Sequence, residues 1–139
     1  MIINKFNDGY EFLSNFFPAS VLADDGLIYK NSEAAFQAHK TMDMNERARF
    51  QELTPGDAKR LGRKIELINN WDGIKYMIMF DIVSRKFQQH PDLAEKLLET
   101  EDAELIEGNV WNDTYWGVCN GVGENNLGKI LMDIRESLK

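Results

Sequence analysis

Hydrophobic residues along this chain change their spacing after the first thirty positions. Before that point they form short clusters, Ile2-Ile3, Phe12 to Phe17 and Leu27-Ile28-Tyr29, broken by Asn7-Asp8-Gly9 and Asp24-Asp25-Gly26. Aromatic and β-branched clusters bounded by Asn, Asp and Gly predict short strands joined by turns. After Asn31 the spacing becomes helical. Thr54-Pro55-Gly56-Asp57 joins a capping threonine, a proline at the first helical position and an acid three residues after the cap, and predicts a helix ending near Gly62. Trp71 to about Gln89 predicts the longest helix. Its apolar residues (Ile74, Met77, Ile78, Phe80, Ile82, Val83, Phe87) cover more than one face, which predicts a central position. His90-Pro91 stops it, and Pro91 opens the next helix, through Leu98. Asn125 or Asn126 caps a last helix to Leu138, with Leu127, Ile130, Leu131 and Ile134 on its buried side. No linker, repeat or low-complexity tract interrupts this order. The expected fold class is α+β: a mostly helical single domain over residues 1–139 with a small N-terminal β-sheet.

Composition narrows the function. With 139 residues, 43% hydrophobic and 28% charged, the chain has the make-up of a folded globular domain. A net charge of −7 argues against broad binding to nucleic-acid backbone, which needs a basic surface, although a local basic patch could hold one or two phosphates. One cysteine, Cys119, excludes an internal disulfide framework and fits a reducing, cytoplasmic compartment. Met1-Ile2-Ile3-Asn4-Lys5 lacks the basic-then-apolar order of a secretory signal. No apolar run reaches membrane-spanning length, and the longest are broken by Lys75 and Asp81.

The segment Asn31 to Lys40 carries the densest chemistry. Glu33, Phe36, Gln37 and Lys40 recur at i, i+3, i+4 and i+7 and so share one helical stripe. A core stripe would carry Leu, Ile or Val there. This one carries an acid, a ring, an amide and an amine, with Ala34, Ala35 and Ala38 around it to let other backbone approach. Such a stripe suits the floor of a pocket. The plainer alternative is an ordinary helix, with an acid in its first turn and a lysine near its end to match the dipole. A second patch runs from Glu107 to Gly117 and holds Trp111, Asp113, Tyr115 and Trp116. Aromatic planes can stack on a base for about 1–3 kcal/mol each, and Asp113 could bond sugar hydroxyls or face a developing positive charge. The alternative is an aromatic cluster that seals the core, with Asp113 capping a turn.

Other motifs carry less. Gly123 to Lys129 fits the first seven places of a phosphate-binding loop, but Ile130 replaces the hydroxyl residue that should hold magnesium. Gly121-Val122-Gly123 starts a dinucleotide fingerprint that fails at Asn126. The glycine-rich loop before the last helix could still offer backbone N–H groups to an anion, or be a plain connection. Lys59, Arg60, Arg63 and Lys64 form a basic cluster, either a solvated face or a phosphate anchor. Cys119 has no histidine near it in sequence and reads as a small loop residue. His39 and His90 form no metal pair with each other or with Cys119, so no metal is expected.

Taken in order, these residues resemble the NADAR, or YbiA-like, family over nearly the full length. The resemblance runs from Phe12-Leu13-Ser14-Asn15-Phe16 through Ser32-Glu33, Phe36-Gln37-Ala38 and Lys40 to Ala58-Lys59-Arg60-Leu61-Gly62-Arg63. It continues through Trp71, Met79 and Lys86-Phe87, then Glu107, Asp113-Thr114-Tyr115-Trp116-Gly117, Asn126-Leu127-Gly128, Leu131-Met132 and Arg135. The resemblance implies an N-glycosidase acting on a ribosylated base. The base would be either ADP-ribosylated guanine in nucleic acid or a phosphorylated riboflavin-pathway intermediate, and no cofactor is implied. A non-catalytic module that binds NAD or ADP-ribose is the alternative, and an acidic mimic of nucleic-acid charge is a third. By motif position, Glu33, Trp71, Asp113 and Trp116 would line the active site. Glu33 is the first choice for the acid/base or electrostatic role and Asp113 the second. Lys40 would offer an amine for Schiff-base chemistry. Asn15, Phe16, Phe36, Gln37, Arg60, Arg63, Tyr115, Gly117 and Asn126 complete the expected substrate contacts.

Overall fold

The computed structural model describes residues 1–139. The fold is α+β, with six α-helices and three pairs of two-residue strands. Its residues gather into two compact units, one of residues 15–89 and one of residues 1–14 with 90–139.

In the 15–89 unit, β2 (Val21–Leu22) and β3 (Ile28–Tyr29) pair antiparallel, Val21 opposite Tyr29. The expected Asp24-Asp25-Gly26 turn closes this hairpin, with the Asp25 carboxylate accepting the Leu27 N–H at 2.9 Å. Helix α1 (Ser32–Ala38) begins where the Asn31 side chain accepts the Ala34 N–H at 2.8 Å. All of Asn31 to His39 are buried. Helix α2 (Met44–Ala48) is capped by Asp43. Helix α3 (Pro55–Gly62) is capped by Thr54, which accepts the Asp57 N–H at 3.2 Å, so the expected start and end both hold. Helix α4 (Trp71–Gln89) has the expected bounds. It is one-sided rather than central. Met79, Ile82, Val83, Lys86 and Phe87 form a single buried stripe, while Met77 is 66% exposed. Helix α1 packs against α2, α3, α4 and β3. Tyr29, Phe50 and Phe87 are fully buried in this unit, and burial of such side chains contributes on the order of 1.5–3 kcal/mol each.

In the other unit, β1 (Ile2–Ile3) pairs in parallel with β4 (Glu104–Leu105). Helix α5 (Pro91–Glu99) buries Leu93 and Leu97. Strands β5 (Gly108–Asn109) and β6 (Val118–Cys119) pair in parallel. Helix α6 (Asn126–Ser137) packs on β4 and α5. A Cβ on Gly128 would collide with the Leu105 carbonyl, so glycine lets α6 lie directly on β4. Strand pairing thus extends beyond the N-terminal region.

Phe12 to Phe17 is not a strand. Glu11–Leu13 forms a 3₁₀ turn, with the Leu13 and Ser14 N–H groups bonding back to Tyr10 and Glu11. Local bonds therefore take the amides that a strand would share.

Candidate active site

The expected site residues fall into two groups. The first belongs to the 15–89 unit and centres on α1. Glu33 and Gln37 are 7% and 6% exposed, and the Gln37 Nε2 donates to the Glu33 Oε2 at 3.0 Å. The Gln37 Oε1 is buried with no partner. The Phe36 and Trp71 rings meet at 5.2 Å between centroids, tilted by 50°. Trp71 is 8% exposed, so its ring forms part of the wall behind α1.

Lys40 is displaced from where the helical stripe puts it. The helix stops at Ala38, and Lys40 lies half-buried in the turn beyond, its N–H bonded to the Gln37 carbonyl at 3.2 Å. The reason lies in His39. Its Nδ1 meets the Ala35 carbonyl at 2.6 Å and its Nε2 meets the Asp24 carboxylate at 2.9 Å. Asp25 in turn pairs with Arg47 at 3.2 Å and accepts from the Tyr29 hydroxyl at 2.7 Å. This network ties the end of α1 to the hairpin. Within it, His39 holds the Asp24 carboxyl below the usual range, and burial, then the bond to Asp25, raises the Tyr29 hydroxyl. Asp24, Asp25 and His39 offer ligand atoms within 4.8 Å of one another, the grouping that sequence spacing did not reveal. Arg47 already supplies a cation there, so the cluster works as a charge network around a buried arginine.

Burial lowers the Lys40 pKa below the ordinary lysine value. Glu33 opposes that shift, and Arg63, Lys59 and Lys75 add to it as like charges. Acid and amine therefore do sense each other, and the amine sits among cations in a chain of net charge −7. Lys75, from the first turns of α4, was not expected in this group. Of the predicted basic cluster, Arg60 is turned to its own helix and pairs with Asp57, Arg63 is exposed, and the Lys59 Nζ lies 5.7 Å from the centroid of the half-exposed Phe16 ring. Asn15 is occupied structurally. Its Oδ1 accepts from Ser32 at 2.9 Å, its Nδ2 donates to the Met79 sulfur at 3.3 Å, and its carbonyl accepts the Glu33 N–H at 3.2 Å. It thereby anchors the backbone from which Glu33 projects.

The second group belongs to the other unit. The Asp113 Oδ1 accepts the Tyr115 and Trp116 N–H groups at 3.1 and 2.9 Å. The Asn109 side chain holds both backbone groups of Asp113, with its Nδ2 donating to the Asp113 carbonyl at 2.9 Å and its Oδ1 accepting the Asp113 N–H at 3.1 Å. Asp113 thus does cap a turn, and that turn sets the Tyr115 and Trp116 rings edge to face at 4.7 Å. Gly117 is buried in this loop, and its carbonyl accepts the Asn125 N–H at 3.3 Å. Asn126, also buried, gives its N–H to the Tyr115 carbonyl at 3.1 Å, and Leu127 gives its own to the Trp116 carbonyl at 3.0 Å. The anion seat considered for the start of α6 is therefore filled by the chain's own carbonyls. Asn125 precedes α6 without a side-chain cap bond, because its amide bonds Glu107 and Leu105 instead. Asn120 and Gly121 both have positive φ (52° and 78°) in a tight Cys119–Val122 turn, which is what the Gly121-Val122-Gly123 run serves.

Known proteins match this arrangement along its length. The chain is 39% identical over 143 residues to the N-glycosidase YbiA of Shigella flexneri serotype 5b, covering 99% of this chain and 88% of that protein. It is 38% identical to the riboflavin biosynthesis protein VVA0006 of Vibrio vulnificus, covering 96% of this chain and 37% of that longer protein. The NMR structure of Escherichia coli YbiA superposes with a TM-score of 0.85 at 36% identity, over 99% of this chain and 83% of that one. No helix is long and apolar enough to cross a membrane. The NADAR domain profile matches residues 3–139, and the chain belongs to the NADAR family.

Proposed function

We propose that this chain, an enzyme of the N-glycosidase class, hydrolyses the C1–N bond of a ribosylated base. The observation that carries the reading is a buried, hydrogen-bonded carboxylate, Glu33, near an amine, Lys40, whose pKa is lowered by burial and by neighbouring cations. Breaking a C1–N bond builds positive charge on the ribosyl carbon, and a fixed carboxylate beside it favours that transition state. A neutral Lys40 amine can attack C1 as the base leaves with a proton. Opening of the C1–O4′ bond then gives a protonated imine, which water hydrolyses to release the sugar and the lysine. Trp71, whose ring meets Phe36 behind α1, supplies a plane for the base.

Of the two substrate classes, the phosphorylated riboflavin-pathway intermediates have the stronger support. A relative carries a riboflavin-biosynthesis name, and the cations around Lys40 suit a small phosphorylated molecule. ADP-ribosylated guanine is the competing class.

Incubation of the protein with each substrate class, read by mass, decides between them. Glu33→Gln should abolish base release while circular dichroism and Tm stay native. Turnover in a folded Glu33→Gln protein would count against the assignment. Borohydride should trap a covalent adduct in the native protein and not in Lys40→Ala. Trapping by both, or by neither, removes the imine route.

A further inference from the structure

We propose that Gln37 is a positioning residue whose amide orients the Glu33 carboxylate and favours its ionised form, and that Gly62 is glycine to give this amide room. The inference rests on the reading of Glu33 as the group facing the reacting sugar. A core position between α1 and α3 that needed only filling would take Leu or Met, at no polar cost. Here stands an amide 6% exposed, with one end on Glu33 at 3.0 Å and the other without a partner. Buried side-chain oxygens are rarely left so. The bond to Glu33 therefore sets the orientation of the amide at the expense of its own oxygen. The reversed orientation would place that oxygen against the carboxylate.

Gly62 supplies the second, independent observation. It ends α3 with no positive φ, so its backbone does not require glycine. A Cβ there would overlap the Gln37 Oε1 and would lie 2.8 Å from its Cδ and 3.3 Å from its Cβ. The Gln37 side chain lies along the bare face of this residue from its Cβ to its Oε1. The charged groups linked to Glu33 through Lys40 are Lys59 from α3, Arg63 just beyond its end and Lys75 from α4. Asp24 and Asp25 face His39 beyond the end of α1, and Arg47 pairs with Asp25. None of these changes when Gln37 is replaced.

The test begins without substrate. In the ¹³C,¹⁵N-labelled native protein, the Gln37 side-chain N–H resonances should follow the Glu33 carboxyl carbon through one titration midpoint. In Gln37→Leu the Glu33 midpoint should rise by about half a pH unit or more, because a donor to the ionised form is gone. On whichever probe the native protein cleaves (a phosphorylated riboflavin-pathway intermediate or ADP-ribosylated guanine DNA), kcat should fall roughly 10–100-fold, as for loss of a hydrogen bond to a charged group, with KM within about threefold. Gly62→Ala should reproduce both effects with Gln37 intact, yet add little in a Gln37→Ala background. A Gln37 amide that ignores the Glu33 titration, or a folded Gln37→Leu protein with unchanged Glu33 midpoint and kcat, overturns the proposal. If Gln37→Leu does not fold, the native titration and the Gly62 pair still decide. Turnover by Glu33→Gln would instead remove the catalytic reading, leaving the titration coupling to be judged by itself.

Discussion

Lys40 shows how much a single residue's chemistry depends on neighbours far away in sequence. Three cations and burial pull its pKa down, and one carboxylate pulls it up. Removing a cation should therefore raise it towards the ordinary lysine value. Lys75 is the residue to change, since it lies outside the helix that carries Glu33 and its ion pair is with the exposed Asp72. In Lys75→Met the rising limb of the rate–pH profile should move to higher pH by a few tenths of a unit. Base release near neutrality should fall about two- to threefold as less of the amine is neutral. A limb that moves to lower pH would contradict an attacking lysine.

Helix α1 is only seven residues long, too short to persist without its cap and its packing. Asn31 is 2% exposed and works at both ends of its amide: Oδ1 takes the Ala34 N–H at 2.8 Å, and Nδ2 donates to the Leu53 carbonyl at 3.0 Å. Asn31→Ala should cost about 1–2 kcal/mol from the cap, with a further loss at the stranded carbonyl. The denaturant midpoint should fall with an unchanged slope, and base release should weaken with it because Glu33 rides on this first turn. Elements defined by local signals were legible in the sequence: the Thr54 cap, the bounds of α4 and the proline that opens α5. Phe12 to Phe17 was not, because apolar content alone does not separate a strand from a turn whose amides bond locally. The site divides along the same line. The α1 stripe was visible through its helical spacing. The end of α1 at Ala38, the arrival of Lys75 and the need for Gly62 all depend on partners brought together by folding.

At the scale of the molecule, one buried cation leaves a mark on stability. Lys86 is 1% exposed, with its amine 5.8 and 5.3 Å from the centroids of the Phe17 and Phe87 rings, and burial lowers its pKa to about 7. The unfolded chain would keep the ordinary value of 10.5. Below about pH 7 both states hold the proton and the burial penalty is fully present. Between about 7 and 10.5 the unfolded state binds more protons, so stability gains with rising pH, by at most about 1.4 kcal/mol per unit from this group. Lys86→Met should flatten that gain in urea unfolding followed across this window. Parallel slopes for the two proteins would contradict the shift.

The strand pairs have a consequence for solubility at high concentration. Every strand in the chain is two residues long, whereas stacked fibrils grow from segments of about six or seven residues with free edges. No ladder here is long enough to template another copy, so the folded protein resists edge-to-edge aggregation through the brevity of its sheets rather than through charges placed to guard them.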